Sequence, residues 1–300
     1  MSDTQYDEVM YRPPFEAGSF LLEVTKGCSH NQCSFCTMYR NVPFRVLPDD
    51  AIEKQLADMK HYTSRIRRVF LENGDPFVLN ADRLLHIAEM IHHSLPAVET
   101  IAMYASVKNI QNKTDADLAA LRKAGINELN IGVESGLDLA LTVMNKGYTA
   151  TQAHEELLRL KNAGIEWGAN VIFGGAGAGN GKENAEATAA LLNETKPYLI
   201  FTGTIHADAG CPLYDDLKQG RFVEPSIGEY LDEEERFLAL LDLDECFYFG
   251  LHPSNIVPLQ GWLMRDNEKL MQEFHDARTS LQAHLNETPI RGGEGAIILR

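Results

Sequence analysis

Short apolar stretches alternate along the chain with longer segments in which apolar residues recur every three or four positions. The short stretches predict strands and the longer segments predict amphipathic helices. The predicted strands are 19–24, 68–71, 100–104, 128–133, 169–173 and one that begins at 198. The predicted helices open at Pro48-Asp49, run along Leu84, Ile87, Ala88 and Ile91, and lie near 115–124, 137–144 and 151–163. This rhythm predicts an α/β fold with a parallel sheet, either doubly wound or a closed or partial barrel.

The regular alternation stops near residue 216. Beyond it the pattern predicts an acidic amphipathic helix over 226–243, a strand over 246–249 and another helix over 267–285. We therefore expect an N-terminal segment (1–18), a core (19–215) and a mostly helical C-terminal extension (216–300). The extension is expected to cover the barrel mouth and shape the substrate pocket, or alternatively to form a docking surface for a partner.

Composition and charge narrow the functional classes. Hydrophobic residues make up 44% and charged residues 23% of the 300, which suits a buried core. The net charge of −16 makes a nucleic-acid partner unlikely, although Lys26, Arg40 and Arg45 are consistent with either a local basic patch or ordinary solvated charges. No apolar run reaches membrane-spanning length and the acidic N-terminus lacks a signal-peptide pattern, so no membrane association and a cytoplasmic location are expected.

Three cysteines lie together in Cys28-Ser-His-Asn-Gln-Cys33-Ser-Phe-Cys36. Three thiolates on one short loop are suited to three corners of a [4Fe–4S] cluster, which leaves one iron open for chemistry. Cys28, His30, Cys33 and Cys36 are alternatively a Cys3His set for structural zinc. A plant-type ferredoxin site is disfavoured, because the next cysteine, Cys211, lies far downstream.

Polar, glycine and cysteine residues follow the predicted strands in register. They are Cys28, Asn73-Gly-Asp-Pro76, Ser106, Glu134, Gly174-Gly-Ala-Gly-Ala-Gly179, and His206 with Asp208. The carboxyl ends of parallel strands share one face, and active sites lie there. The Gly-rich segment matches neither G-x-x-x-x-G-K nor G-x-G-x-x-G, so it predicts either close backbone approach to a ligand or a flexible turn.

These motifs together resemble the radical S-adenosylmethionine (radical SAM) superfamily over about residues 11–214. The cysteine loop resembles its cluster motif, with Phe35 before the last cysteine and four rather than the common three residues in the first gap. Ile131-Gly-Val-Glu-Ser-Gly136 and Met144-Asn-Lys-Gly147 are similar to the branch of coproporphyrinogen-type dehydrogenases and methylthiotransferases. The resemblance implies a partial (β/α)6 TIM-like barrel.

The resemblance also implies cofactor-binding residues. The segment of Asn73, Gly74 and Asp75 resembles the family's Gly-Gly-Glu, whose backbone receives the SAM amino group. Glu134 would meet the ribose and Lys146 the SAM carboxylate. The remaining positions implied as SAM contacts are Asn170 and Gly174, for ribose and adenine, and Ser106 on the third strand.

The implied activity is reductive cleavage of SAM by a [4Fe–4S] cluster on Cys28, Cys33 and Cys36, giving a 5′-deoxyadenosyl radical that abstracts hydrogen from a small molecule or peptide. An electron donor such as flavodoxin or ferredoxin is implied as a partner. The alternatives are a radical SAM enzyme acting on tRNA or another RNA, and a non-catalytic protein that holds zinc or a cluster. Tyr11-Arg-Pro-Pro-Phe-Glu16 and His252-Pro-Ser-Asn255 resemble a subgroup of short members, which gives no substrate.

Four polar residues near predicted strand ends are candidate substrate contacts. They are His206, Asp208, His252 and Asn255, of which the histidines are equally consistent with structural roles. Cys211 and Cys246 are consistent with radical quenching or an extra metal, and more often such cysteines are small buried hydrophobes.

Overall fold

A computed structural model describes residues 12–59 and 62–291. The predicted N-terminal segment 1–18 therefore lies only partly within the described residues. Tyr11 of the subgroup motif lies outside them.

One eight-stranded sheet forms the centre of the molecule, with strand order β1-β4-β5-β6-β7-β8-β9-β10. Its strands are β1 (Phe20–Leu22), β4 (Arg68–Leu71), β5 (Thr100–Ala105), β6 (Ile126–Glu134), β7 (Glu166–Phe173), β8 (Leu199–Thr204), β9 (Phe247–Phe249) and β10 (Gln260–Trp262). Within this sheet every neighbouring pair from β1 through β9 is parallel, and β10 is antiparallel to β9. Among the described residues β1 and β10 do not pair, so the sheet is a partial barrel.

The helices follow the strands. They are α1 (Asp49–Asp58), α2 (Ala81–Ser94), α3 (Val107–Gln111), α4 (Asp115–Lys123), α5 (Asp138–Val143), α6 (Ala150–Ala163), α7 (Gly181–Thr195), α8 (Pro212–Lys218), α9 (Ile227–Leu240) and α10 (Leu263–Ser280). Strands β2 (Thr25–Lys26) and β3 (Arg45–Val46) form a separate small antiparallel pair. Among the described residues, none of these helices has the length and apolar character needed to cross a membrane.

The predicted α/β fold with a partial barrel of six βα units is confirmed. The structure adds helices α3, α7 and α8 and strands β2, β3 and β10 to the predicted elements. The C-terminal region also extends the sheet, because β9 pairs with β8. The division at residue 216 stays a prediction, and the sheet continues across it.

The two faces of the barrel strands differ in character. On β6, Leu129, Ile131 and Val133 are fully buried and face the helices, whereas Asn130 and Gly132 face the barrel lumen. The alternation follows from the two-residue period of a strand. On β7, Gly168 pairs with Asn130 and Asn170 pairs with Gly132, so these two residues of β7 also face the lumen.

An ionic network closes the lumen at the amino ends of the strands. Arg68 on β4 donates to Glu128 on β6 at 2.6 Å, and its Nε donates to Glu16 at 2.9 Å. Tyr198, just before β8, also donates to Glu128. Because these side chains come from strands that are not neighbours, their contact fixes the curvature of the sheet. The opposite end, where the carboxyl ends of the strands meet, holds the predicted site.

Candidate active site

The cysteine loop begins beyond the carboxyl end of β1, and each of its three cysteines is half-buried. Asp75 fixes its first half: one carboxylate oxygen accepts from the Ser29 amide at 2.7 Å and the other from the Ser29 hydroxyl at 2.5 Å. The second oxygen also accepts from Asn109 at 3.3 Å. The Asp75 side chain, 3% exposed, therefore holds the loop, and the predicted contact of its segment with SAM stays a prediction.

The second half of the loop is tied to two later elements. The Ser34 amide donates to Met144 O at 3.0 Å, and the Ser34 hydroxyl donates to Val143 O at 2.6 Å. The amide of Leu213, at the start of α8, donates to Ser34 O at 2.9 Å. The loop is thus tied to the end of α5 and to the start of α8, each of which lies more than 100 residues further along the chain.

A single arginine spans the two later cysteines. Arg40 donates from Nη2 to Cys33 O at 2.6 Å and from Nε to Cys36 O at 2.9 Å. These contacts satisfy carbonyls of an irregular loop and place a positive charge beside it. Arg40, one of the three basic residues noted near the loop, therefore binds the loop backbone.

Gly74 packs directly against the first cysteine. Its amide donates to Gly27 O at 3.0 Å, and an added Cβ would lie 2.5 Å from the Cys28 Cβ. The preceding residue, Asn73, has φ of 77° and donates to Glu23 at 3.2 Å. The predicted SAM-amine segment therefore adjoins the cysteine loop, and no side chain larger than hydrogen fits at Gly74.

The thiol pKa values reflect a buried loop with one local cation. Burial, together with Asp75, raises the pKa of Cys28 to about 12, and burial raises the pKa of Cys36. Burial also opposes the Cys33 thiolate, but Lys146 and His30 outweigh it, and the Cys33 pKa is lowered. Metal binding to such thiols releases protons, because the thiolate is the ligand.

The donors of the loop suit two kinds of metal site. In a [4Fe–4S] cluster each thiolate binds a different iron, so three cysteines supply three corners. The same three thiols together with His30 would make a Cys3His zinc set. His30 lies 2.8 Å from Asn145 O and also contacts Cys33, so its imidazole stands beside the loop.

Glu134 and Lys146 form a buried ion pair beside the loop. Lys146 Nζ lies 2.9 Å from Glu134 Oε1, and the two residues are 8% and 6% exposed. Burial disfavours the ammonium, but Glu134 and Cys33 outweigh it and hold the Lys146 pKa well above its usual value. Glu134 has φ of 63° at a register shift between β6 and β7. Tyr148 donates to the carbonyls of Gly132 and Val133 at this bend.

Of the other predicted SAM contacts, Asn170 faces the lumen, whereas Ser106, Phe35 and Gly174 contact other parts of the chain. Asn170 is half-buried on the lumenal face of β7 beside Gly132, consistent with a ligand contact. Ser106 caps α3 through the Asn109 amide at 3.3 Å. Phe35 is half-buried and packs on the core. Gly174 is enclosed, because its amide donates to Glu233 at 2.9 Å and an added Cβ would lie 2.1 Å from the Tyr230 ring.

The four candidate substrate residues lie on two segments, one after β8 and one in the loop that hydrogen-bonds to β8. His206 and Asp208 are paired at 3.3 Å and partly exposed beyond β8. His252 contacts Ser254 at 2.7 Å and packs edge-on against Phe201. Asn255 is 7% exposed and donates to the carbonyls of Thr202 and Gly250, both at 2.9 Å, so it ties its own loop to β8. Their roles toward substrate stay predictions.

The two remaining cysteines are buried, whereas the three cysteines of the loop are half-buried. Cys211 is 1% exposed at the start of α8, and Cys246 is fully buried beside β9. Burial raises the pKa of Cys246 to about 12. Both behave as small buried hydrophobes.

Sequence reasoning missed several residues that shape the site. Glu233 comes from α9 and reaches the Gly174 amide, and no local pattern signals a contact over 59 residues. Asn130 is a buried polar group within β6, and Glu72 is one immediately after β4. The available signal was a polar residue directly beside apolar ones, at Glu72 after Leu71 and at Asn130 between Leu129 and Ile131.

Comparison with known proteins places these features in a family. The model of the radical SAM superfamily matches residues 22–192, more than half of the chain. The heme chaperone HemW of Lactococcus lactis subsp. lactis (strain IL1403) is 26% identical over 141 residues, which are 46% of this chain and 36% of HemW.

Solved structures show the same fold. The radical SAM methyltransferase TsrM from Kitasatospora setae, with cobalamin and a [4Fe–4S] cluster bound, gives a TM-score of 0.55 at 14% identity, over 67% of this chain and 37% of TsrM. Coproporphyrinogen III oxidase (HemN) from Escherichia coli gives 0.51 at 16% identity, over 74% of this chain and 51% of HemN. The chain spans little more than a third of HemW and TsrM. It belongs to the radical SAM superfamily, whose cofactors are a [4Fe–4S] cluster and SAM, as predicted.

Proposed function

We propose that this chain is a radical SAM enzyme in which Cys28, Cys33 and Cys36 hold the cluster. The observation that carries the proposal is the cysteine loop. It presents three thiols, and Asp75, Arg40 and the carbonyls at the end of α5 hold the rest of the loop in place. When bound, the cofactor pair supplies reductive cleavage of SAM to methionine and a 5′-deoxyadenosyl radical that abstracts hydrogen from substrate.

The residues of this chain bind and orient. Gly74 gives the SAM amino group a backbone approach next to Cys28, since it has no side chain there. Lys146 balances the SAM carboxylate with Nζ–H donors that it shares with Glu134. Asn170 contacts the ribose from the lumen. Asp75, Ser106 and Gly174 hold the surrounding backbone in place.

The substrate of the proposed enzyme is a small molecule or a peptide. A flavodoxin or ferredoxin would supply the electron. The net charge of −16 makes an RNA substrate the weaker alternative. A non-catalytic protein that holds zinc on Cys28, His30, Cys33 and Cys36 is the other alternative, and metal content distinguishes it.

Metal content after anaerobic reconstitution with iron and sulfide tests the ligand set. The native chain is expected to retain about four irons. The triple variant Cys28→Ala/Cys33→Ala/Cys36→Ala should retain none, whereas the control Cys211→Ala/Cys246→Ala should retain the native amount. A colourless native protein that binds one zinc and no iron would overturn the proposal.

A further inference from the structure

Four side-chain positions form a continuous row across the lumen. Tyr104 on β5 is in register with Asn130 on β6, which is in register with Gly168 on β7. Continuing the register of β4 and β5 by one residue places Glu72 beside Tyr104. We call Glu72, Tyr104, Asn130 and Gly168 the lumenal row. Neighbouring strands lie about 4.8 Å apart, so the row from Glu72 to Asn130 spans about 10 Å.

The row holds buried polar atoms that have no partner in the described part of the chain. Asn130 is 1% exposed, and both its amide nitrogen and its amide oxygen lack a hydrogen bond. Glu72 is 3% exposed, and its Oε2 lacks one as well. Native proteins rarely leave such groups unsatisfied, because each costs about 1–3 kcal/mol. Their presence points to a ligand that completes them.

Gly168 packs closely against Asn130. An added Cβ at Gly168 would lie 3.3 Å from Asn130 Oδ1 and 3.3 Å from the Leu199 side chain, so a larger residue would press on the Asn130 amide. Gly132 is the next lumenal position on β6, below Glu134. Tyr104 and Asn170 are partly exposed although they lie within strands, so the lumen is open beside the row.

The charge of the lumen is negative. Glu23, beyond the end of β1, lies near enough to Glu72 to act with burial in raising the Glu72 pKa to about 6, while Arg12 acts in the opposite direction. Glu23 is itself 3.8 Å from Lys26, and Lys146 is already balanced by Glu134. A cationic group is therefore the ligand chemistry that best completes Glu72.

The opposite wall of the lumen is aromatic. Phe201 stacks on Phe249 with ring centroids 5.6 Å apart, and Phe15 packs edge-on against both. All three rings are partly exposed. They suit the apolar or aromatic body of a ligand.

We propose that the substrate carries a protonated amine on an apolar or aromatic body, with the amine bound by Glu72 and a neutral polar group bound by Asn130. This inference rests on the proposed function, because it names the substrate class of the same site. Its test does not depend on turnover, so the two can fail separately.

The test is anaerobic equilibrium dialysis of the reconstituted protein with SAM present. The probes are 4-fluorobenzylamine and its neutral analogue 4-fluorobenzyl alcohol, each quantified by fluorine NMR. We expect the amine to bind at least about tenfold more tightly than the alcohol, and Glu72→Gln to bring the two affinities within about threefold, as the loss of one charge-assisted contact implies. The control Glu183→Gln removes an exposed carboxylate and should preserve the preference.

A second variant separates a ligand role from a structural one. Asn130→Leu removes an unsatisfied buried amide, so we expect a higher melting temperature. The probe 4-fluorobenzylamine has no neutral polar group for Asn130 to bind, so its affinity should stay within about threefold of the native value. Equal affinities for amine and alcohol in the native protein would overturn the proposal. So would loss of SAM affinity in Glu72→Gln, which would assign Glu72 to SAM, or a lower melting temperature in Asn130→Leu.

Discussion

Gly74 and Cys28 are in direct contact, with only 2.5 Å between the Cys28 Cβ and the position that a Gly74 Cβ would take. The contact joins the end of β4 to the start of the cysteine loop. It explains why a glycine stands before Asp75: the backbone on both sides has no room for a side chain.

Gly74→Ala is expected to displace Cys28 and to lower the iron retained after reconstitution by at least about half, since one of three thiolates loses its place. Iron and sulfide analysis measures it. Gly18→Ala is the matched control, because an added Cβ at Gly18 meets nothing within 4 Å. Native iron content in Gly74→Ala would show that the contact does not position Cys28.

Asp75→Asn tests whether the carboxylate orders the loop. One oxygen accepts from the Ser29 amide and the other accepts from Ser29 and Asn109. An amide NH2 would face at least one donor, so we expect the free energy of unfolding to fall by about 1–3 kcal/mol. Urea denaturation measures it, and exposed Asp58→Asn serves as control. An unchanged free energy of unfolding would show that the Asp75 carboxylate does not stabilise the loop.

The Glu134–Lys146 pair gives a prediction that separates stability from binding. Lys146→Met leaves Glu134 buried without its partner, so the unfolding free energy should fall by about 3–5 kcal/mol. The double variant Glu134→Gln/Lys146→Met should recover part of that loss. SAM affinity, measured by calorimetry, should stay at least about tenfold weaker in both variants, since both lack the cation. Recovery of SAM affinity in the double variant would assign Lys146 a structural role only.

Stability should fall as pH rises through neutrality, because of a carboxyl group on α9. Glu234 is buried, accepts from the Tyr248 hydroxyl at 2.7 Å, and burial raises its pKa from 4.5 to about 7. The folded state binds this proton more tightly than the unfolded state, so its stabilising effect is present below pH 4.5 and is lost through pH 7. Each pKa unit is worth about 1.4 kcal/mol, which gives about 3 kcal/mol in all.

Glu234→Gln keeps the neutral shape, so its unfolding free energy should exceed that of the native chain increasingly from pH 5 to pH 8. The neighbouring Glu233, whose pKa burial raises to about 8, adds a similar slope to both proteins. Glu235→Gln, on a partly exposed residue of the same helix, should follow the native curve. Parallel curves for Glu234→Gln and the native chain would contradict the assignment.

Local patterns predicted most of the barrel and the cysteine loop, because both depend on short-range signals. Strand 68–71 was predicted with its observed bounds, and Ile52 and Leu56 mark the buried face of α1. Helix α7 was missed because its apolar positions follow a glycine-rich start, and β10 because Gln260-Gly-Trp262 is too short to show a period.

Side-chain roles were harder to predict, because they depend on contacts between distant segments. The Asp75 side chain binds Ser29 and the Gly174 amide donates to Glu233, and neither contact is signalled by the local sequence. Asn130 appears in the sequence as one of several polar residues in β6. That Asn130 faces the lumen becomes clear only from the folded sheet, in which it pairs with Gly168.

The most direct test of the central claim is 5′-deoxyadenosine formation by the reconstituted protein with dithionite and SAM, without oxygen. The account predicts 5′-deoxyadenosine from the native chain and none above background from Cys33→Ala, which lacks one of the three proposed ligands. A native protein that carries its full iron and binds SAM, yet forms no more 5′-deoxyadenosine than Cys33→Ala, would contradict it.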